Sequence, residues 1–384
     1  MQPPDVTPPL AIEKVEAFVL RAPVPFPVRT SFGIMHDRPA VLVRVTDRDG
    51  ATGWGEVWCN FPSVGAEHRA RLVASCLAPA LRGRAWPGPR ECFETLTRQM
   101  RILAIQSGEP GPLAQAIAGV DIALWDLAAR RLGQPLWRLF GGGGDTVAVY
   151  ASGINPDDPV RVAEAKAREG YAAFKLKIGF GDARDEDNVR ALRAAMGDSA
   201  ALMADANQAW EPGQAADMAE RLAPYGLLWL EEPVPADTSL EDWHALAARS
   251  PIRLAAGENL REAAAFRAAV DRGGLAVVQP DLGKWGGFSG CLPVGRYVMD
   301  RGRWFCPHWL GGGVGLVASL HLKAALGGPG YVEVDSNPNP LRERLAEPAF
   351  DLRDGRVRLP ERPGLGIEPD PAALSEYLVA VQDG

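Results

Sequence analysis

From Lys177 to Glu333, a titratable residue closes a short apolar run every 23 to 28 residues. The series is Lys177 in AAFKLKIG, Asp205 in ALMADANQ, Glu231 in LLWLEEP, Glu258 in IRLAAGEN, Asp281 in LAVVQPD, His308 in RWFCPH and Glu333 in GYVEVD. Asp205, Glu231 and Glu258 close three consecutive runs. Brought together, three carboxylates repel one another without a counterion. A hard divalent cation such as Mg²⁺ takes such oxygen ligands and keeps positions open for water or substrate. The neighbouring Glu231 and Glu232 point to opposite faces of a strand, so only one of them is expected to reach a metal. Lys175 and Lys177 are two apart and share a face. A cation beside them favours the neutral amine and lowers the pKa, which lets a lysine act as a base near neutral pH. Asp281 and His308 close consecutive runs and can be hydrogen-bonded neighbours. A carboxylate beside an imidazole fixes its tautomer and raises its pKa. Of the other histidines, His36 and His68 lie in the N-terminal part and His244 and His321 in helical stretches, which suits structural or exposed roles.

These residues need elements that bring them to one place. Each run is short and rich in β-formers, and each following segment has room for a loop and a helix, which is the period of a βα unit. Near-continuous apolar runs mark strands buried on both faces, as in an all-parallel sheet. If the strands close into a barrel, their C-terminal ends meet at one rim, where such barrels hold their active sites. The 384 residues suit a barrel of roughly 250 residues plus a second domain.

The chain divides accordingly into residues 1–140, 145–338 and 339–384. Residues 11–58 read as antiparallel strands, with a hairpin turn at Asp49-Gly50 and a Pro-rich loop VPFPVRTSFGIMHDRP. Residues 66–140 are helical by pattern, with Ile117, Val120, Leu124 and Leu127 at helical spacing and Gly133 as a stop. Gly141–Gly144 is a linker, since it lacks the GK[ST] ending of a phosphate loop. The barrel runs from Val147 to about Val334. A second hairpin, at Asp354-Gly355, opens the tail, which is expected to return to the N-terminal domain.

Composition narrows the function classes. A net charge of −7 and a pI near 5.4 give no basic footprint for nucleic acid. The five scattered cysteines imply neither zinc nor a disulfide framework. The N-terminus does not read as a signal peptide, and no run approaches about 18 apolar residues. A cytoplasmic location is the expectation, with no membrane and no nucleic acid as partners.

The motif set K-x-K, D-A-N, E-E-P, G-E-N, P-D-x-x-K-x-G-G, P-H and a final Glu resembles the mandelate racemase group of the enolase superfamily. The resemblance extends to W-G-E at Trp54–Glu56 and to the tail motifs D-G-x-x-x-x-P and P-G-L-G-I. Asp281, where other branches carry Lys, and His308 point to this group and away from muconate-cycloisomerase-like enzymes.

The resemblance implies an α/β fold, a (β/α)₇β TIM-like barrel with an α+β capping domain. It implies one Mg²⁺ per subunit on Asp205, Glu231 and Glu258, and a homo-oligomer. Lys177 would be one base, with Lys175 near the substrate carboxylate. His308, supported by Asp281, would be the acid/base on the opposite face. Glu333 would hydrogen-bond the substrate carboxylate as it gains charge. Asp335 shares its face and could fill that role, though Glu333 is favoured. Asn207 would touch substrate, and Lys284 would be a supporting charge. Arg29, His36, Trp58 and Asn60 lie in segments expected to close over the barrel mouth, Arg29 and His36 as substrate-binding residues.

The chemistry implied is abstraction of a proton α to the carboxylate of a small acid, through an enediolate. Acid-sugar dehydration to a 2-keto-3-deoxy acid, part of carbohydrate-acid catabolism, is the favoured outcome. Racemisation or epimerisation of a 2-hydroxy acid needs the same constellation. A non-catalytic binding barrel would be expected to lack a ligand or base, and none is missing.

Overall fold

A computed structural model describes residues 9–29 and 33–384, the side chain of Arg29 excepted. Its first sheet is antiparallel and carries the cap: β1 (Leu10–Arg29), β2 (Ile34–Asp47) and β3 (Thr52–Val57), with the short β4 (Ala85–Trp86) against β1. The described residues of the Pro-rich segment expected as a loop are instead largely strand, residues 30–32 of it lying outside the described residues. The β1–β2 ladder runs to Pro23↔Asp37, lapses, and resumes at Val28↔Met35. Pro23, Pro25 and Pro27 lack the N–H a ladder needs, and the pairing lapses where they cluster.

Two long helices, Pro89–Ser107 and Pro110–Arg131, back this sheet. The second is long and apolar enough to cross a membrane, but 89% of its apolar window is buried inside the fold. It is a core helix. Its Asp121 accepts from the Ser289 backbone and hydroxyl, and its Asp126 from the backbone of Trp54 and Leu365. Gly133, at φ +64°, ends it as the sequence predicts.

The second sheet is the barrel. Its parallel strands are β5 (Thr146–Ile154), β6 (Ala173–Lys177), β7 (Ala201–Asp205), β8 (Leu230–Glu231), β9 (Leu254–Ala256), β10 (Val277–Val278), β11 (Trp304–Phe305) and β12 (Val332–Asp335). Each pairs with the next from β5 to β11, and β12 pairs with β5. The Glu333 N–H donates to the Pro307 carbonyl and bridges the remaining gap. Helices follow the strands and cover the outside. β13 (Leu352–Arg353) and β14 (Arg356–Arg358) form the second hairpin, with β14 antiparallel to β5. The last strand, β15 (Leu378–Asp383), pairs antiparallel with β1 of the cap sheet.

Candidate active site

Alternation along the strands builds the site in layers. Tyr150, Ala173, Met203, Trp229, Ala255, Val277 and Cys306 form one buried cluster inside the barrel, with Tyr331 packed against it. Two residues further along each strand, on the same face, come Ser152, Lys175, Asp205, Glu231, Gly257, Gln279, His308 and Glu333. An apolar floor therefore lies beneath a polar and charged layer. Gly257 is the gap in that layer. Its φ is +145°, and a Cβ there would come within 2.8 Å of the Gln279 nitrogen. The carboxylate of this strand is supplied by the next residue, Glu258.

Lys175 is fully buried above the Tyr150 ring. Its Nζ contacts Glu231, lies 2.9 Å from Glu333 Oε1 and 3.5 Å from Asp205 Oδ2. Lys177, Asp205 and Glu231 face one another in register across β6, β7 and β8. Lys177 Nζ donates to Asp205 Oδ2 at 2.5 Å and to Asn207 Oδ1 at 2.9 Å. Gln279 Nε2 and Trp229 Nε1 both donate to Glu231 Oε2. Glu258 is held by Lys284 Nζ at 2.7 Å and His308 Nε2 at 2.6 Å. His308 Nδ1 lies 2.7 Å from Asp281 Oδ2, so the expected pair is formed. Glu333 Oε1 also accepts from Ser152 Oγ, and its Oε2 lies 3.3 Å from His308 Nε2.

A small cavity of about 30 Å³ opens among Lys177, His308, Glu333, Ser152, Asn155 and Asn337. Lys177 and His308, the residues expected as acid and base, therefore border the same space from different strands. Val28 and Leu310 also line it, so the cap's first strand reaches the mouth.

The electrostatics differ from expectation at the lysines. Burial would lower Lys177, but the Asp205 carboxylate raises it above the usual lysine value. Burial likewise works against Lys175, yet Glu231 and Glu333 hold it well above normal. Both lysines face carboxylates directly here, so their shifts run opposite to those expected beside a cation. Burial would also lower His308, but Glu258 and Glu333, with the Asp281 hydrogen bond, hold it well above the ordinary histidine value.

The structure separates the two acidic residues of β12. Glu333 faces the cavity, whereas Asp335 forms a buried 2.5 Å ion pair with Arg38 of β2. Glu232 does not point away from the rim. Its φ is +39°, which breaks strand alternation, and its carboxylate accepts from Asn259 near Glu258 and Asp205. No sequence signal marks that turn. Ser152 and Gln279 were also missed by the sequence reading. Being uncharged, they carry no signal in the sequence beyond standing two residues past the buried floor. Asn207 sits beside Lys177 and Asp205 as expected. His36 is exposed on β2, and the Arg29 side chain lies outside the described residues. Trp58 stacks under Lys284 at 4.6 Å, and Asn60 donates to the Leu310 carbonyl.

The order of these side chains along the strands can be set beside known proteins. Residues 14–141 match the model of the mandelate racemase / muconate lactonizing enzyme N-terminal domain, and residues 159–373 match that of the enolase C-terminal domain-like family. The chain belongs to the mandelate racemase/muconate lactonizing enzyme family. A family structure from Bordetella bronchiseptica is 55% identical, covers 96% of this chain and 99% of that one, and superposes with a TM-score of 0.92. The 3,6-anhydro-alpha-L-galactonate cycloisomerase of Streptomyces coelicolor is 33% identical over 96% of this chain and 99% of its own length. A racemase structure from the same species, with bound magnesium, is 32% identical, covers 96% of this chain and 100% of that one, and has a TM-score of 0.86.

The donors of this family member fit such an ion. Asp205 and Glu231 stand side by side in register, with Glu258 at the end of the next strand. Negative charge is in excess, since Asp205, Glu231, Glu232, Glu258, Asp281 and Glu333 outnumber Lys175, Lys177, Lys284 and His308. Burial, with Asp205 and Glu333 nearby, pushes Glu231 up to about 7 against the pull of Lys175. Burial and the Glu258 charge push Glu232 up to about 8. A divalent cation would offset that excess. Among the described residues, no three Asp, Glu, His or Cys side chains form a ready cage. Ammonium groups and the imidazole take up the carboxylates instead, and an ion would have to displace these partners.

Proposed function

We propose that this chain removes the proton α to the carboxylate of an acid sugar and expels the β-oxygen, giving a 2-keto-3-deoxy acid. The observation that carries this reading is the single cavity bordered by Lys177, His308 and Glu333 beside three rim carboxylates. Mg²⁺ on Asp205, Glu231 and Glu258 would supply positive charge to the developing enediolate. Lys175, fully buried beside Glu333, would direct its ammonium charge toward the substrate carboxylate. With Asp205 engaged by the ion, Lys177 would lose the charge that raises it and take the α-proton from one side as the neutral amine. His308, held by Asp281, carries a proton on Nε2 and delivers it to the departing β-oxygen. Glu333 donates to the substrate carboxylate once it bears a proton, and extra negative charge in the cavity favours that protonation.

Relatives named for acid sugars support the substrate class, among them the D-galactonate dehydratase of Ralstonia nicotianae. Polar walls at Ser152, Asn155 and Asn337 suit a hydroxylated chain. The same steps open a ring when the β-oxygen belongs to one, and the cycloisomerase relative makes that the second reading. A screen of mono- and di-acid sugars and their anhydro and lactone forms with Mg²⁺, read by a colorimetric 2-keto-acid assay and by product mass, tests both. Loss of one water marks dehydration, and an unchanged mass marks ring opening. Inversion at the α-carbon with no keto acid would replace both readings with racemisation.

A further inference from the structure

Glu56, from the W-G-E motif of β3, takes no part in the steps above, yet it is buried to 1% exposure against the barrel. Its Oε1 accepts from the Gly312 N–H at 2.5 Å and its Oε2 from the Gly315 N–H at 2.9 Å. These groups begin the helix Gly313–Leu326, whose N-terminal end favours a negative charge. Residues 309–312 join that helix to His308. Gly312 leaves room only for Glu56, since a Cβ there would come within 2.6 Å of Oε1. The connecting loop is held in four more places: Asn60 Nδ2 donates to the Leu310 carbonyl, Asn339 Nδ2 to the Gly311 carbonyl, Trp309 Nε1 to the Gly312 carbonyl, and the Trp309 N–H to Glu333 Oε2. The same cap segment reaches the turn after Asp281. The Trp58 N–H donates to the Gly283 carbonyl, and the Gly283 N–H donates to Asp281 Oδ1. Residues 56–60 therefore grip the loops that follow both members of the His308–Asp281 pair.

We propose that Glu56 is a positioning residue that sets the His308 imidazole against Asp281 through the N–H groups of Gly312 and Gly315. The inference rests on the function proposed above. Lys177 is held separately by Asp205 and Asn207, so the two proton-transferring residues respond differently to a change at Glu56. Glu56→Gln keeps the size of the side chain but turns an NH₂ toward one of the two N–H groups. A displacement of about 1 Å at reacting groups costs up to about 10²-fold in rate.

The test compares wild type and Glu56→Gln with Mg²⁺, using galactonate and its C2 epimer talonate, which present the α-proton on opposite faces. Exchange of that proton is followed by NMR in D₂O, together with kcat and KM for any keto acid formed. The imidazole N–H resonance of the His308–Asp281 pair is recorded in H₂O without substrate. The proposal expects the His308-side step and kcat to fall about 10²-fold, while Lys177-side exchange stays within about threefold. It also expects the imidazole resonance to shift or broaden. Equal loss at both faces, or an unmoved resonance with unchanged kcat, overturns it. If Glu56→Gln lacks a cooperative melt, Glu56→Asp, which keeps the two acceptor oxygens but draws them back by one methylene, is measured against the same criteria. A wild type that exchanges no α-proton sinks the proposed function, whereas the imidazole resonance still decides the coupling.

Discussion

At the residue scale, the charged members of the site were legible because strand alternation assigns faces without knowledge of the fold. Lys175, Lys177, Asp205 and Glu231 fall where that rule puts them, and Asp281 meets His308 as consecutive strand ends should. The rule failed at Glu232, where a positive φ turns the side chain back toward the rim. It also could not choose between Glu333 and Asp335, which it places on one face. That choice depended on Arg38, nearly 300 residues earlier in the chain, which claims Asp335. The two acids should therefore fail differently. Glu333→Gln is expected to lower kcat and leave the melting temperature near that of wild type. Asp335→Asn leaves a buried guanidinium without its partner charge, a defect that costs roughly 3–5 kcal/mol of stability. Denaturant unfolding of both variants checks this, and equal stabilities would contradict it.

At the element scale, the βα period located the barrel strands, while the cap's first hairpin was misread. Clustered prolines look like a loop, and only the partner strand shows that pairing resumes beyond them. The helix Gly313–Leu326 carries a residue that the sequence assigned to structure, and the site agrees. His321 is buried and neutral, accepting from the Trp137 N–H at Nδ1 and donating from Nε2 to the Leu365 carbonyl. Burial lowers its pKa to about 4 from the ordinary histidine value of about 6.5, the Leu365 hydrogen bond opposing. The unfolded chain thus binds a proton that the folded chain refuses between those values. The resulting stability is present above about pH 6.5 and is lost as pH falls through about 4. A gap of that size corresponds to roughly 3 kcal/mol. His321→Gln is expected to flatten the stability curve across this window while losing some stability at neutral pH. Parallel curves for the two proteins would show that His321 does not carry the acid sensitivity.

At the scale of the whole molecule, the cap sheet, its buried helix and the barrel form one arrangement around the rim. The C-terminal strand pairs with the first strand of the chain. The rim charges sit above an apolar floor that does not need them, so removing one carboxylate should spare the fold. Asp205→Asn and Glu231→Gln are expected to melt as cooperatively as wild type and to lose turnover. A ligand at 100 times its dissociation constant stabilises by about 2.7 kcal/mol. Mg²⁺ should accordingly raise the melting temperature of wild type and leave both variants unmoved. A wild-type melting temperature indifferent to Mg²⁺, or full activity with a chelator, would remove the metal from the account.

The proposed function requires Lys177 and His308 to address one α-carbon from two sides. A single positioned acid or base contributes roughly 10²–10⁴-fold to its step. The direct measurement is loss of the α-proton NMR signal in D₂O with Mg²⁺ and acid sugars epimeric at C2, for wild type, Lys177→Ala and His308→Asn. Wild type is expected to form keto acid, and both variants to lose overall turnover. His308→Asn is expected still to exchange the α-proton presented to Lys177 without eliminating. Full dehydration by both variants, or no exchange by wild type into any acid sugar, would contradict it.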